Sequence, residues 1–222
     1  MSLFLTWVEE KERFTLSTAG YVIFIALIIL LLLLCSIVTQ SKEKKQMSAK
    51  QLAFCGMSIA LATVASVIKF SFPFTALTGG SITLLSMFFI CFVGYLYGPK
   101  IGIMTAVAYG ILQLIISPKI YFPMQILVDY VLAFGALGLS GFFYKRKGGL
   151  LTGYLVGVTG RWIFAAISGI IFFGEYAWDG WNVTLYSIVY NATYIVPEAI
   201  ITVIIIALPP VRAQLKRVRD MA

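Results

Sequence analysis

Apolar residues gather in seven runs, at about 19–39, 51–69, 82–97, 101–117, 124–144, 150–173 and 186–208. A run of about 20 apolar residues is long enough to cross the hydrocarbon core of a bilayer as a helix. Proline and glycine close most of the runs. Gly98 and Pro99 part the third from the fourth, Pro118 and Pro123 bracket the next loop, and Pro209-Pro210 stops the last helix. Proline neither donates the helical hydrogen bond nor lets the turn continue. No internal repeat or low-complexity tract interrupts the pattern, so an inverted-repeat architecture is not expected. The pattern predicts an all-α integral membrane protein with seven spans.

The first run differs from a signal peptide. A cleaved signal peptide has a basic leading region and a small-residue cleavage site. Here the leading flank is mixed (Glu9, Glu10, Lys11, Glu12, Arg13) and the basic cluster follows the run. The sequence therefore predicts an uncleaved extra helix. Residues 1–50 form that helix and its charged linker, and residues 51–222 form a six-helix membrane domain.

Charge orients the bundle. With the N-terminus outside, twelve cations fall on the inner side: Lys42, Lys44, Lys45, Lys50, Lys100, Lys145, Arg146, Lys147, Arg212, Lys216, Arg217 and Arg219. Only Lys11, Arg13, Lys69 and Lys119 fall outside, a positive-inside bias that predicts N-out/C-in. The net charge of +8 is thus a topology signal and an attraction to anionic lipid; nucleic acid is not an expected partner.

Composition narrows the chemistry. The chain of 222 residues is 60% hydrophobic and 12% charged, about half the charge of a soluble domain, which excludes a soluble enzyme. It has no histidine, which removes His-dependent triads, HExxH zinc sites and His-ligated haem. Cys35, Cys55 and Cys91 lie singly within apolar runs and read as small hydrophobes. No metal site and no cofactor is expected. No GxxxxGK[ST] string is present, so the chain does not hydrolyse ATP through a P-loop.

Polar residues inside the spans are the functional candidates, because an unpaired ionisable group there costs a few kcal/mol or more. Between Glu43 and Asp220 the acidic residues are Asp129, Glu175, Asp179 and Glu198, and only Asp129 and Glu198 fall within spans, as does Arg161. At a rise of about 1.5 Å per residue, Asp129 lies about 9 Å and Asn191 about 8 Å below the outer surface, at one level. Glu198 and Arg161 lie near the midplane. The last two either form a structural ion pair between helices, or Arg161 meets a ligand. A carboxylate just under the outer surface suits a cationic ligand arriving from outside.

Aromatic residues cluster at the same level. The loop 174–186 carries Tyr176, Trp178, Trp181 and Tyr186, and Tyr130 adjoins Asp129. Each alone fits an interfacial aromatic belt. Together with an acid and an amide they make a box for a flat, positively charged ring. Arg161, Ala165, Gly169 and Phe173 form a stripe at helical spacing whose small members leave room for a ligand or for a neighbouring helix.

Several strings carry a resemblance: GGSITLLSM (79–87), YGPKIGIMTAVAYGILQ (97–113), DYVLAFGALGLSG (129–141), GIIFFGEYAWDGW (169–181) and YSIVYNATYIVPEAI (186–200). They resemble the thiamine-specific S component of energy-coupling-factor (ECF) vitamin transporters. The resemblance implies a six-helix bundle, here with one extra helix, in the bacterial plasma membrane. Its pocket captures thiamine or a related small molecule from outside. It also implies partners, a transmembrane coupling subunit and two ATPase subunits, because the energy must come from elsewhere. By the family's motif, the pocket residues fall on Asp129, Tyr130, Arg161, Gly169, Phe173, Trp178, Tyr186 and Asn191. The coupling contact falls on Gly56 and Ala60, with Ser58 and Ala62 in an overlapping register. Three positions depart from the family: Ala165 replaces a pocket histidine, Phe173 a stacking tryptophan, and Gly80 another tryptophan. Rival readings are the same fold with another vitamin or a pyrimidine or pyridine precursor, a small intramembrane enzyme using Glu198, and a scaffold subunit.

Overall fold

The computed structural model describes residues 5–8, 13–16, 22, 47–70 and 80–221. The apolar run 19–39, expected as the extra first span, lies outside the described residues apart from Val22. Two short antiparallel pairs depart from a purely helical expectation. β1 (Leu5–Val8) pairs with β2 (Arg13–Leu16), Leu5 facing Leu16, and β3 (Lys69–Phe70) pairs with β4 (Ile82–Thr83).

The remaining elements are helices: α1 (Ala49–Val67), α2 (Ser86–Tyr97), α3 (Pro99–Ile116), α4 (Ile126–Phe143), α5 (Gly149–Phe172), α6 (Val183–Ala207) and α7 (Pro209–Met221). Five of them (α1, α3, α4, α5 and α6) are long and apolar enough to cross a membrane. α1 opens on a capping box, in which Ser48 Oγ accepts from the Gln51 amide while Gln51 Oε1 accepts from the Ser48 amide. Asn182 caps α6 by accepting from the Thr184 amide at 2.8 Å.

The run 82–97 is helical only over its later part. Its helix has 12 residues, of which ten are buried, and at about 1.5 Å per residue it reaches about 18 Å. Burial of ten of its twelve residues makes it a core helix of the bundle. α2 is accordingly the centre of the bundle, with Met87, Ile90, Cys91 and Val93 almost wholly enclosed. Gly98, at φ +90°, turns the chain directly into α3.

Pro209-Pro210 does stop the last long helix, but a further helix follows it. α6 stops at Ala207, and Pro209 opens α7, a position where its missing N–H is not needed. α7 is amphipathic: Leu215 and Val218 pack against the core while Arg212, Lys216 and Arg217 are turned away from it. Arg219 donates to the Tyr95 hydroxyl at 3.4 Å, and Lys50 donates to the Met221 carbonyl, so α7 closes one end of the bundle.

Small residues let the helix backbones touch. A side chain on Gly138 of α4 would overlap the backbone of Gly102 and Ile103 in α3, and one on Gly141 would overlap Pro99. Close backbone approach of this sort holds membrane helices together where no hydrophobic driving force acts between them. Gly138→Leu is expected to destabilise the bundle by about 3 kcal/mol or more, because backbone cannot yield as a side chain would. The check is the yield of monodisperse protein and its melting temperature in detergent.

Candidate functional site

A cavity with about 210 Å³ free opens at the end of the bundle opposite α7. It is walled by the C-terminal end of α3, the N-terminal half of α4, the C-terminal half of α5, the N-terminal half of α6 and the segment Gly80–Ser86. Seven of the eight residues expected in the pocket line it: Asp129, Tyr130, Arg161, Gly169, Phe173, Tyr186 and Asn191. The whole stripe Arg161, Ala165, Gly169 and Phe173 faces the cavity.

Asp129 and Tyr130 stand on a π-helical turn, Ile126–Leu132. Such wide turns recur at functional sites because they re-aim side chains within a helix. Gln125 Nε2 donates to Asp129 Oδ2 at 2.8 Å. The Tyr130 ring is stacked on Phe134, and its hydroxyl accepts from the Lys119 amide at 2.9 Å. Arg161 reaches the same group from α5: its guanidinium carbon lies 4.2 Å from the Phe134 ring centroid, a cation–π contact.

Of the two alternatives for Arg161, the ion pair with Glu198 is not formed: Arg161 faces the cavity, and Glu198 is buried with other partners. Its carboxylate accepts from Thr83 Oγ1 (2.6 Å), Ser86 Oγ (3.0 Å) and the backbone amides of Thr83 and Met87 (both 3.3 Å). α2 has no side-chain cap of its own, and Leu85 before it lies in the left-handed region at φ +64°. Glu198 therefore serves from α6 as the cap of α2, where helix-end N–H groups favour a negative charge.

Asn191 is also engaged with the protein. Its Nδ2 donates to the carbonyls of Ala165 (3.2 Å) and Ser187 (2.8 Å), and its Oδ1 accepts from the Tyr194 hydroxyl. It thus ties α5 to α6 at the cavity wall. Gly169 lies at the same crossing, where an added Cβ would come within 2.7 Å of Ser187 Oγ.

Trp178 is the expected pocket residue that does not line the cavity. It packs edge-on against Tyr186 at 5.2 Å and against Trp181 at 4.9 Å. Tyr186 in turn stacks on Tyr190 at 5.6 Å, and Tyr190 meets Tyr194 edge-on. Tyr190 and Tyr194 are pocket residues beyond those expected from the sequence, although their i, i+4, i+8 spacing from Tyr186 places all three on one helical face. They also account for Gly80. Its amide donates to the Tyr190 hydroxyl at 3.0 Å, and a Cβ there would fall 2.7 Å from the Tyr194 ring. The tyrosines fill the space a larger residue at 80 would need. Phe173 packs edge-on against Tyr121 at 5.4 Å, and Lys69 of β3 and Lys119 of the loop before α4 add positive charge. Among the described residues no group of three His, Cys, Asp or Glu side chains could hold a metal ion.

Residues 52–217 match the family Thiamine transporter protein (Thia_YuaJ). The chain belongs to that family. It is 34% identical over 168 residues to the thiamine transporter ThiT of Bacillus subtilis, covering 68% of this chain and 88% of that one. A second relative, thiamine transporter ThiT of Lacticaseibacillus paracasei, is 26% identical over 115 residues, covering 44% and 57%. Among solved structures, ThiT from Listeria monocytogenes superposes with a TM-score of 0.60 over 72% of this chain and 94% of that one, at 24% identity, which shows a shared fold. The chain is accordingly a multi-pass bacterial membrane transport protein of this family and not an enzyme.

Proposed function

We propose that the cavity captures thiamine from outside the cell, and that the chain is the substrate-binding subunit of an ECF-type importer. The observation that carries this reading is the Asp129 carboxylate, set in the cavity wall among the rings of Tyr130, Phe173, Tyr186 and Tyr190. Thiamine joins a permanently charged thiazolium to a flat aminopyrimidine. A carboxylate is the partner for either the cation or the amino donor, and aromatic faces attract the positive ring. Family membership supports the same substrate.

The partner side of the proposal rests on α1. Gly56 and Ala60 lie on its exposed face, and a Cβ on Gly56 would meet nothing within 4 Å. Ser58 and Ala62, in the overlapping register, are buried against the bundle. The open register is the one left for a helix of the transmembrane coupling subunit, with two ATPases supplying energy. Lys100, Lys145–Lys147 and α7 at the end away from the cavity fit the cytoplasmic side by the positive-inside rule.

Intrinsic fluorescence tests substrate capture. Among the described side chains, Trp178 stands against a cavity-lining ring, that of Tyr186. Titration with thiamine is expected to quench the emission saturably, and Trp178→Phe is expected to remove most of the change while binding persists. Emission that follows only dilution, with thiamine no different from an unrelated vitamin, would sink the proposal.

A further inference from the structure

We infer that Gln125 positions the Asp129 carboxylate for the ligand, an inference that rests on Asp129 being a ligand contact as proposed above. Gln125 is the residue before the π-helical turn and is 4% exposed. Its amide is fully used. Oε1 accepts from the backbone amides of Tyr121 (3.0 Å) and Phe122 (3.4 Å), and Nε2 donates to the Lys119 carbonyl (3.2 Å) and to Asp129 Oδ2 (2.8 Å). A primary amide offers two N–H donors and one oxygen with two lone pairs, so these four bonds leave nothing over.

The arrangement has a direction. Three of the four bonds go to the backbone of the loop 119–122, which fixes the amide plane. The fourth passes that fixed orientation to the carboxylate. Asp129 therefore follows Gln125, because Gln125 cannot turn without breaking three bonds to the loop.

The backbone beneath is equally constrained. α3 presses against the π-helical turn at Gly110, where any side chain would run into the Tyr130 carbonyl. With main chain and carboxylate both held, the acid is set before a ligand arrives, and the ordering cost of binding falls. The loop that holds Gln125 also carries Tyr121, itself on the cavity wall and edge-on to Phe173. One buried amide thus couples the mouth of the cavity to its acid.

The test is a double-mutant cycle with thiamine as the probe, each variant first shown to be folded by its melting temperature. Gln125→Glu keeps an oxygen for the Tyr121 and Phe122 amides but turns the donor shared by Asp129 and the Lys119 carbonyl into a second carboxylate oxygen, the loss at Lys119 being common to both backgrounds of the cycle. It is expected to weaken thiamine binding by about 10- to 100-fold, the effect of one hydrogen bond to a charged group. In the Asp129→Asn background the new Glu faces an amide that donates to it, so the same substitution should weaken binding further by less than about 2-fold. A merely structural role would instead lower affinity by the same factor in both backgrounds, and that result would overturn the inference, as would unchanged binding by Gln125→Glu alone. Asp129→Asn binding as tightly as wild type would defeat the reading of Asp129 itself, a separate outcome. If Gln125→Glu does not fold, Gln125→Leu runs the same cycle with the same two readings.

Discussion

Asp129→Asn is expected to bind thiamine about 100-fold more weakly than the wild type while melting at nearly the same temperature. The size follows from losing a charged partner in a water-poor site, worth about 1.5–3 kcal/mol for the hydrogen bond alone and more where a cation is paired. The fold survives because the carbonyl of the substituted amide still accepts the Gln125 N–H that now reaches Asp129 Oδ2 at 2.8 Å. Isothermal titration gives the affinity and a thermal melt gives the stability. A fall in both together would mean that Asp129 braces the helix rather than meeting the ligand. Unchanged affinity would remove the acid from the binding site.

Glu198→Leu is expected to have the largest effect on stability, a loss of about 3 kcal/mol or more. Leucine fills the volume but leaves four donors without their acceptor: the amides of Thr83 and Met87 and the hydroxyls of Thr83 and Ser86. The hydroxyls can rotate to other partners, whereas the two amides cannot, and each stranded buried donor costs about 1–3 kcal/mol. Glu198→Gln keeps one acceptor oxygen and should lose much less. Thermal melts of the two variants check the order. Equal melting temperatures for the Gln and Leu variants would contradict the capping role. A Glu198→Gln melt far below wild type, restored by no change at Arg161, would show that the charge rather than the hydrogen bonds matters.

The long spans and most of the cavity wall are legible in the sequence for one reason: both are written in helical periodicity. Arg161, Ala165, Gly169 and Phe173 share a face by spacing alone, and that face is the cavity wall. Counting rises along two helices puts Asp129 and Asn191 at one level, and both line the cavity. Long-range pairing is what periodicity does not carry. Glu198 sits on the same helical face as Asn191, so a partner on a neighbouring span is the natural expectation. Its true partners lie at 83–87, more than a hundred residues earlier, in a helix end whose need for a cap emerges only with Leu85 in its left-handed turn. Gln125 escapes because a lone glutamine at the start of an apolar run, where a polar residue suits the water interface, carries no sign of burial. The helix in the run 82–97 is shorter than the run, because run length does not set helix length. α7 is an extra helix beyond the stop at Pro209-Pro210, because proline that ends one helix can open the next. A short apolar run can be core, and proline opens helices as readily as it ends them.

The most direct test of the central claim is an equilibrium titration of the purified wild-type chain with thiamine, set beside riboflavin and biotin under the same conditions. Saturable binding of thiamine, with no comparable binding of the other two and a marked loss in Asp129→Asn, is the predicted result. Binding of all three vitamins alike, or of none, would contradict the assignment of the cavity as a thiamine site.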